Sequence, residues 1–599
     1  MLYICTYLWN GYYRQQNDFY KMLNLSKAHF SKLLWIFVIS TCFFSCGQKS
    51  SLPAGDVNNA DLFLPDGFEA VVVADGIGHA RHLAVNENGD IYVKLTYAKQ
   101  DSGNVAIRDV NSDGKADMIS YFGDYKAEKG YGPTSMRIYN GFIYFSTKGA
   151  VYRQKLTPGK LIPESKIEVI LSDNYLTEHI GKTLAFDDEG HMYVNFGSIS
   201  NNCQIDNRIP ESTGQYPCAE LAEHAGIWKF DANKLDQIQK DGIRYATGLR
   251  DGIAMDWNHA THTLFALEHG RDDLHRTWPS LYSEWESTML PAEEFFEVKE
   301  GMNGGWPYYY YDQLQNKKVV APEYRGVDLK EEDKPANPII GFPGHWAPND
   351  LFFYTGNQFP DHYRNGAFIA FHGSSNRSPY PQSGYVVGFV PFRNGTLSRS
   401  WEVFADGFAQ KDTIVSSTEA AHRPMGIAMG PEGSLYISDI VTGKIWRIMF
   451  KGDKEDFGTD QLAKMEMRKM LTHIKTPDEI RDNLDKGMAA GGQKIFKTYC
   501  VSCHQADGKG DGSRYPSLVE SDWVAGDKNR LVTILLDGLK GPITVHGKPF
   551  DGEMPKHDFL SDADIAKVSS YIRLSFGNKA GVVLEKEVAL VRDKLKDKQ

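Results

Sequence analysis

Residues 181–198 have the sequence GKTLAFDDEGHMYVNFGS, in which two short apolar runs flank an acidic turn that contains glycine. Such runs predict β-strands, and the turn between them predicts a hairpin. Comparable phrases recur, including HARHLAVNENGDIYVKL (79–95), GIAMDWNHATHTLFALEHG (252–270) and PMGIAMGPEGSLYISDIVTGKIWRI (424–448). Hairpins repeated without linkers predict stacked blades, whereas tandem β-sandwiches are the less favoured alternative. We therefore expect residues 61–450 to form an all-β six-bladed β-propeller.

The length and composition limit the remaining possibilities. The chain has 599 residues, of which 41% are hydrophobic and 12% aromatic, so it is long enough for two or more globular domains. The net charge of -11 and the lack of a basic run argue against nucleic acid as a partner. A long segment between the repeated phrases, residues 270–340, is expected to project from one face of the propeller and help to build a pocket.

The composition changes after the propeller. Residues 451–486 are charged and have helical periodicity, so we expect a helical linker. Residues 487–578 have helical periodicity on both sides of the motif CVSCH, and Ser561 and Asp564 are spaced as a capping box. Residues 579–599 are mostly charged, which predicts a solvated helical tail.

The motif CVSCH predicts covalent attachment of haem c. Cys500 and Cys503 are spaced to bond the haem, and His504 follows as the first iron ligand. Met554, in a proline-containing loop, is the expected second ligand. A disulfide between the two cysteines is the alternative use of this motif. The segment resembles a small, all-α class I cytochrome c domain, whose haem carries single electrons. Two histidines are weaker alternatives to Met554: His546 and His557.

The N-terminus resembles a lipoprotein signal peptide. Basic residues precede an apolar run that ends at Cys46, and Met22 is the expected true start. We therefore expect residues 1–46 to form the leader with a lipid on Cys46, and residues 47–60 to form a short linker. An N-terminal anchor helix is the alternative. The expected location is the periplasm or the outer membrane, with a membrane contact through the lipid.

Two further cysteines remain in the predicted propeller. Cys203 and Cys218 close the segment CQIDNRIPESTGQYPC. In an exported chain this pair is expected to form a disulfide, with two independent buried thiols as the alternative.

Several phrases in the propeller carry a resemblance to a known family. They are TEHIGKTLAFDDEGHMYVNFGS (177–198), ATGLRDGIAM (246–255), GMNGGWPYYYYD (301–312), AFIAFHGSSNRSPYPQSGYVVGFVPF (367–392) and AHRPMGIAMGPEGSLYISD (421–439). Together they resemble the glucose/sorbosone dehydrogenase family, in both content and order. The resemblance implies a six-bladed propeller that holds pyrroloquinoline quinone (PQQ) and Ca²⁺ over its central channel.

The resemblance also implies roles for individual residues. His179 stands where the family has its catalytic base, and an imidazole suits the removal of a hydroxyl proton. Glu178 stands where the family has a carboxylate. PQQ carries three carboxylates, so its site needs fixed cations. Arg250 would lie near the quinone oxygen, and the alternative use of each arginine is a salt bridge. The cations implied at the matching positions are Arg81, Arg250, Arg377 and Arg423.

Three positions depart from the family pattern. Asp251 stands where the soluble glucose enzymes have asparagine, and Ala421 stands where they have a second arginine. Arg377 replaces a lysine and keeps its charge. These differences favour the sorbosone-like branch of the family.

Calcium is expected at two places. The resemblance implies that backbone carbonyls near Gly305 and Pro307 bind the ion that bridges to the cofactor. Separately, the segment RDVNSDGKAD has oxygen-bearing side chains at calcium-loop spacing, although the twelfth position is Ser120. A loop of Asx turns is the alternative. The candidate ligands of this loop are Asp109, Asn111, Asp113 and Asp117.

The sequence thus predicts an exported quinohaemoprotein dehydrogenase. It would oxidise a sugar with PQQ as electron acceptor and pass the electrons to haem c and a respiratory acceptor. A non-catalytic binding propeller with a relay cytochrome is one alternative, and a calcium-dependent lactonase is another.

Overall fold

The structure is a computed structural model that describes residues 52–124, 135–173, 178–179, 181–578 and 580–596. Ala54–Gln599 forms one compact unit. The predicted leader, its lipidation site Cys46 and the first part of the predicted linker lie outside the described residues. Within those ranges, no helix is both long and apolar enough to cross a bilayer.

Six sheets, each with four antiparallel strands, form the propeller, as the repeated hairpins predict, and two of them carry a short fifth strand in parallel pairing. From the channel outwards, blade 1 consists of Ala80–Val85, Ile91–Lys99, Ser102–Arg108 and Met118–Phe122. Blade 2 consists of Met136–Tyr139, Phe142–Ser146, Ala150–Lys155 and Ile167–Ser172. Blade 3 consists of Leu184–Phe186, His191–Phe196, Gly226–Asp231 and Ile243–Thr247. Blade 4 consists of Ala254–Asn258, Thr263–Glu268, Glu293–Val298 and Ile340–Phe342. Blade 5 consists of Pro348–Phe353, Ala367–Phe371, Val386–Val390 and Glu402–Ala405. Blade 6 consists of Pro424–Met429, Leu435–Asp439, Ile445–Phe450 and Phe68–Ala74.

Short strands and single-turn helices decorate the blades. The additional strands are Gln237–Ile238 and Met302–Asn303, and the hairpins Tyr309–Asp312 with Lys317–Val320 and Phe392–Arg393 with Thr396–Leu397. The 3₁₀ turns are Val57–Asp61, Ala219–Ala222, Gln239–Asp241, Pro322–Tyr324, Glu331–Asp333, Asp361–Tyr363 and Ser417–Glu419.

Blade 6 closes the ring. Its outermost strand comes from the start of the propeller, because Phe68 pairs with Phe450 in an antiparallel ladder. Phe68 also contacts Phe359 and Phe404 of blade 5 edge to face, with ring centroids 4.8 and 5.2 Å apart. This joining of the first and last strands in one blade closes the ring.

The hairpin at residues 184–196 shows why the repeated phrase forms a blade. Leu184 pairs with Val194, and both side chains are buried. In the turn, the Asp187 carboxylate accepts hydrogen bonds from the amides of Glu189 and His191 at 2.9 and 2.8 Å. Gly190 has φ of +97°, a conformation that glycine adopts without steric cost. The acidic turn therefore fixes the register that places the apolar side chains inside.

Three long insertions form a cap on the propeller. They span residues 197–225, 269–292 and 299–339, and their aromatic side chains form a separate buried cluster. The disulfide between Cys203 and Cys218 is formed within the first of them. The second contains helices Leu274–Thr277 and Glu284–Met289. The cap is therefore an ordered layer with its own core.

The segment predicted as a linker packs on the propeller. Its helix Thr459–Arg468 buries Met465 against blade 5. Arg468 and His473 both bind the buried carboxylate of Asp406, His473 at 2.8 Å. The charged residues of this segment thus hold it in place, which its composition alone does not indicate.

The C-terminal domain is a small helical domain, as the sequence predicts, and it also contains one β-hairpin. A hairpin of Leu539–Val545 and Lys548–Met554 lies within it. Ser561 caps its helix by accepting from the Asp564 amide at 3.1 Å, as the spacing predicts. Its helices are Asp478–Tyr499, Val501–His504, Asp522–Ala525, Lys528–Asp537, Asp562–Leu574 and Glu585–Lys596.

The C-terminal tail also differs from the expectation of a solvated helix. Val588 and Val591 are buried against the core of the C-terminal domain. Both lie on one face of Glu585–Lys596, three residues apart, so the helix is amphipathic in spite of its charge. The tail is therefore part of the domain.

Candidate functional site

The predicted propeller residues gather where the innermost strands begin. Arg81 opens blade 1, Arg250 precedes blade 4 and Arg423 precedes blade 6. Second strands run antiparallel to these and end on the same side, which brings Ser198 and His372 there as well. One end of the channel thus collects side chains from several blades.

His179 lies in this site with a defined orientation. Its Nδ1 lies 2.8 Å from Ser198 Oγ and 3.1 Å from the Ser198 carbonyl oxygen. A Cβ added at Gly197 would lie 2.2 Å from the His179 carbonyl oxygen, so only glycine fits beside it. The imidazole is buried.

The hydrogen bonds assign the tautomer of His179. Ser198 Oγ donates to the Ser200 carbonyl oxygen at 2.7 Å, so it accepts from His179 Nδ1–H. Burial and the charge of Arg250 hold the pKa of His179 well below its usual value, although Asp272 opposes this shift. His179 is therefore neutral at physiological pH, with the lone pair on Nε2.

Arg81 and Lys94 bring two cations close together in blade 1. Arg81 is buried, donates to Asn349 Oδ1 at 3.2 Å and leaves its Nε without a partner among the described residues. Burial and then the charge of Arg423 lower the pKa of Arg81 to about 10. Lys94 is also buried, and burial followed by the charge of Arg81 lowers its pKa to about 7.

Arg377 is the most isolated of the predicted cations. Only 1% of its surface is exposed, and in the described part of the chain its Nε and Nη1 find no hydrogen-bond partner. Its Nη2 lies 4.0 Å from the Met289 sulfur. Burial lowers the pKa of Arg377 to about 10.

Arg423 lies against blade 5. Its Nε donates to the His372 carbonyl oxygen at 2.8 Å and its Nη2 to the Gly373 carbonyl oxygen at 2.6 Å. Burial and the charges of Arg423 and Arg81 hold the pKa of His372 well below its usual value. His372 is therefore neutral and adds no positive charge.

Arg250 has hydrogen-bond partners that the sequence does not predict, and its role near the quinone oxygen stays a prediction. Its Nε and Nη2 bind the backbone and side-chain oxygens of Asn201 at 3.1 and 3.0 Å, and Nη2 also binds Asp272 at 2.9 Å. Its Nη1 donates to the carbonyl oxygens of His269 and Gly270. Because all five N–H groups are used, Arg250 braces the cap loops and contributes its charge, and it has no donor left for a quinone oxygen.

Glu178 faces a cap arginine. It forms a 2.8 Å ion pair with Arg208, which also binds Asp272 at 3.2 Å. Partial burial would raise the pKa of Glu178, but the hydrogen bond and charge of Arg208 lower it. Glu178 is therefore a paired carboxylate that helps to fix the loop of His179.

The departures from the family pattern also lie here. Asp251 is buried, and burial raises its pKa to about 7 in spite of neighbouring Arg250. Ala421 contributes only a backbone hydrogen bond, to the Ala409 carbonyl oxygen at 3.1 Å.

The donor set fits a polyanion such as PQQ. Burying a cation without a partner is costly, yet Arg81 and Arg377 both keep unpaired N–H groups inside the protein. An anionic group with several carboxylates would satisfy them with charge-assisted hydrogen bonds. Arg81, Arg377 and Arg423 are the residues that would hold it, with Lys94 beside Arg81.

The calcium loop forms a set of Asx turns. The Asp109 carboxylate accepts from the amides of Ser112 and Gly114 at 2.7 and 2.8 Å, and Asp117 accepts from the Val110 amide at 2.6 Å. Asn111 and Asp113 accept from loop amides in the same way. The oxygens therefore stabilise the loop itself, which is the alternative interpretation of this motif.

At the other predicted calcium position, both carbonyls already accept hydrogen bonds. Gly305 O accepts from the Tyr309 amide at 2.8 Å, and Pro307 O accepts from Asn202 Nδ2 at 3.2 Å. Calcium binding there stays a prediction. In the described ranges, the side chains that could hold a metal as a close His/Asp/Glu group are Asp187, Glu189 and His191, at the opposite end of blade 3.

The haem motif borders an apolar cavity in the C-terminal domain. One cavity is lined by Cys500, His504 and Met554, and a second by Cys503, His504 and Met554. Cys500 and Cys503 are free thiols, so the alternative disulfide is not formed. His504 Nδ1 lies 3.1 Å from the Pro516 carbonyl oxygen, and this bond leaves Nε2 for the iron. The residues fit a covalently attached haem.

Met554 is better placed than either histidine to be the second iron ligand. It ends a strand instead of lying in a loop, and it lines both cavities. His546 is exposed and binds the Val519 carbonyl oxygen at 2.9 Å. His557 lines neither cavity.

We expect Met554→Ala to lower the haem potential while the haem stays bound. Loss of the thioether should shift the midpoint down by on the order of 0.1 V, within the range that axial ligands span. Spectroelectrochemical titration and the charge-transfer band of Met-ligated ferric haem measure this. His546→Ala and His557→Ala are the matched controls and should leave both unchanged. A shift in either control that is absent in Met554→Ala would reassign the ligand.

Several residues of the site were not found from the sequence. Lys94 could have been found, because a lysine interrupts the apolar strand of DIYVKL. Asn201, Arg208 and Asp272 carry no such signal, since they lie in irregular cap loops. His372 lies within a quoted phrase, but its position between two arginines depends on the ring of blades.

Comparisons with known proteins agree with this architecture. The profile of the TrAA12-like family matches residues 62–451, and that of cytochrome c matches residues 489–575. The AA12 carbohydrate-active enzyme of Trichoderma reesei has a TM-score of 0.54 and 18% identity, covering 66% of this chain and 99% of that one. The PQQ domain of pyranose dehydrogenase from Coprinopsis cinerea has a TM-score of 0.51 and 17% identity, covering 65% and 97%.

The C-terminal domain has its own relative. Cytochrome c-552 of Thermus thermophilus is 34% identical over 93 residues, which are 15% of this chain and 70% of the relative. The identities to the solved propellers establish the fold alone, whereas the family profile covers most of the chain. The chain therefore belongs to the TrAA12-like family and carries a cytochrome c domain after its propeller.

Proposed function

We propose that this protein is a quinohaemoprotein dehydrogenase that oxidises a sugar on the propeller and reduces the haem of its own cytochrome c domain. The observation that carries the proposal is the pair of buried arginines, Arg81 and Arg377, whose N–H groups lack partners among the described residues. They lie at the same end of the propeller as a neutral, oriented His179. PQQ, when bound, would supply the two-electron acceptor for the substrate hydride.

The residues of the site suit the remaining chemistry. His179 Nε2 would take the hydroxyl proton of the substrate, with Nδ1–H held by Ser198 so that the ring keeps this tautomer. Arg377 and Arg423 would bind and orient carboxylates of the cofactor. The ion pairs of Arg208 with Glu178 and Asp272 would keep the cap loops in place over the reacting groups.

The haem domain supplies an electron outlet. His504 and Met554 would hold the haem iron, and a haem held in this way would carry single electrons. The presence of a cytochrome c domain in the same chain as the propeller supports electron transfer to a haem on Cys500 and Cys503 and from there to a respiratory acceptor. A fused electron carrier gives no advantage to a lactonase, so we rank hydrolysis lower.

We propose that the protein is exported and held at a membrane by a lipid on Cys46. The Cys203–Cys218 disulfide supports an oxidising compartment. The lipid itself rests on the sequence of the N-terminal segment. Ca²⁺ is included as a proposed second cofactor on the resemblance alone.

Reconstitution tests the proposed function directly. The PQQ-free protein, with its haem attached, is incubated with PQQ and Ca²⁺ and then mixed with aldoses and aldehydes under anaerobic conditions. We expect at least one sugar to reduce the haem, seen by absorbance, only when PQQ is present. Binding of PQQ without reduction by any sugar would favour a binding or relay propeller, and failure to bind PQQ would overturn the proposal.

A further inference from the structure

Asp251 is a buried carboxyl group that the proposed chemistry does not use. It directly follows Arg250, at the beginning of blade 4, and is 5% exposed. Its Oδ1 is buried and has no hydrogen-bond partner within the described ranges. A buried carboxylate without a donor is costly, so this position is unusual for an aspartate.

The neighbouring arginine does not pair with Asp251. The Arg250 guanidinium is fully engaged by Asn201, Asp272 and the cap carbonyls. Asp272 therefore takes the role of the ionised partner: burial would raise its pKa, but Arg250, His345 and Arg208 hold it well below its usual value. The pKa values of Asp251 and Asp272 are thus shifted in opposite directions by their surroundings.

The charges around Asp251 come from several blades. Arg250 and Arg81 favour its ionised form, as does Lys182 before blade 3, whereas Asp272 opposes it. Burial outweighs these effects and raises the pKa of Asp251 to about 7. Lys182 is itself occupied by Asp173 at 2.8 Å. Asp251 therefore lies within electrostatic reach of these cations, and in the described part of the chain it forms an ion pair with none of them.

We infer that Asp251 is a neutral hydrogen-bond donor to an acceptor oxygen of the anionic cofactor, a role that an ionised carboxylate could not fill. The inference rests on the proposed function, because it assigns Asp251 to the same binding site. It explains how an aspartate is compatible with a polyanion. The carboxyl O–H supplies the hydrogen bond that Arg250 cannot, since all Arg250 donors are used. Asp251 is thus a positioning residue for the cofactor.

Proton uptake on binding of PQQ is the readout. The PQQ-free protein with its haem attached is titrated with PQQ at pH 8 by calorimetry, in two buffers of different ionisation enthalpy. In the free protein at this pH, Asp251 is mostly ionised, so binding must take up about one proton for it. We expect the Asp251→Asn protein to take up about one proton less than wild type.

Three other groups titrate in the same range and must be separated. Burial raises the pKa values of Glu268, which accepts from the Arg250 amide, and of Glu293 to about 8, so Glu268→Gln and Glu293→Gln measure their contribution. Lys94 is the third. Burial and the charge of Arg81 lower its pKa to about 7, so an incoming anion would also protonate Lys94. Lys94→Met should remove the proton that Lys94 takes up when PQQ binds, and it should keep the proton that Asp251 takes up. Burial and nearby cations lower the pKa values of His179, His269 and His372, so these groups stay neutral above pH 7.

Asp256→Asn is the matched control. Asp256 is a carboxyl group in the innermost strand of blade 4 whose pKa burial raises to about 6, and its Oδ2 accepts from the Phe353 amide at 2.8 Å. Asp256→Asn should leave the number of protons taken up on binding of PQQ the same as in wild type. Above pH 7 the Kd for PQQ should rise more steeply for wild type than for Asp251→Asn, by about tenfold per pH unit.

The outcomes separate the two proposals. Equal uptake by wild type and Asp251→Asn would overturn the role of Asp251 and leave the proposed function standing. No binding of PQQ to either protein would overturn both. If Asp251→Asn loses its fold, as judged by circular dichroism, the Lys94→Met protein that also carries Glu268→Gln and Glu293→Gln decides: uptake of about one proton supports the inference, and none overturns it.

Discussion

Replacing His179 with alanine should slow sugar-driven reduction of the haem by about 10²- to 10⁴-fold. The imidazole is the neutral group whose Nε2 is available to accept a proton, because Ser198 holds Nδ1–H at 2.8 Å. Burial and Arg250 hold the pKa of His179 well below its usual value, so it remains a base across the neutral range. Stopped-flow absorbance of the haem after mixing with sugar measures the rate.

The control for this change lies at the opposite end of the adjacent blade. His262, in the turn between the first two strands of blade 4, pairs with Asp188 at 3.0 Å and is exposed. His262→Ala should leave the rate unchanged. Both variants should keep their haem content and their affinity for PQQ. A His179→Ala protein that retains the wild-type rate would remove His179 from the mechanism.

The pH dependence follows from the same pKa shift. A base whose pKa is lowered loses its lone pair only at acidic pH, so the rate should stay level from neutral pH down to well below 6.5. A decline centred on the ordinary histidine value would indicate that the catalytic base is another, more exposed group.

The repeated strands could be predicted because each blade follows local rules. Apolar alternation and an Asp–Gly turn specify the hairpin at residues 184–196 without help from distant residues. Arg81 and Arg423 could be placed for a related reason, since both lie at the beginning of an innermost strand. Residues at the ends of regular strands can therefore be located from the sequence.

The cap could not be predicted in the same way. Asn201 and Asp272 meet at Arg250 only because two insertions fold together, and irregular loops have no periodicity that encodes this contact. The occupied donors of Arg250 are a consequence of these contacts. The loop around Asp109 could not be assigned for a different reason. The same spacing of oxygen atoms suits either a bound ion or hydrogen bonds from the amides of the loop.

The C-terminal domain shows how burial changes an interpretation based on composition. The tail is highly charged, yet Val588 and Val591 pack one face of its helix against the core of the domain. Met554 was expected in a loop, but the hairpin that ends at Met554 places its side chain at the cavity. In a charged segment, a few apolar residues that share one face of a helix or strand are therefore enough to predict packing against a core.

Arg377→Met should stabilise the PQQ-free protein and weaken binding of PQQ. At neutral pH the lowered pKa of Arg377, from 12.5 to about 10, corresponds to roughly 3 kcal/mol of free energy lost by keeping it charged in the folded state. The sign follows because the unfolded chain holds the proton more tightly at every pH below 10. Methionine fills similar space without a charge, so denaturant unfolding should show a larger free energy of unfolding. The Kd for PQQ should rise by about 10²-fold, as expected for loss of one partner of a buried ion pair.

Arg137→Met provides the opposite case within the same propeller. Arg137 binds the fully buried carboxylate of Asp350 at 2.6 Å, so its removal leaves an unpaired charge and should lower the free energy of unfolding by about 3–5 kcal/mol. Arg377→Lys, which keeps the charge, should retain most of the affinity for PQQ. Two buried arginines would then have opposite effects on stability, and the difference would identify Arg377 as the one whose partner is a ligand. If Arg377→Met instead destabilised the PQQ-free protein as much as Arg137→Met, Arg377 would have a structural partner and no role in holding the cofactor.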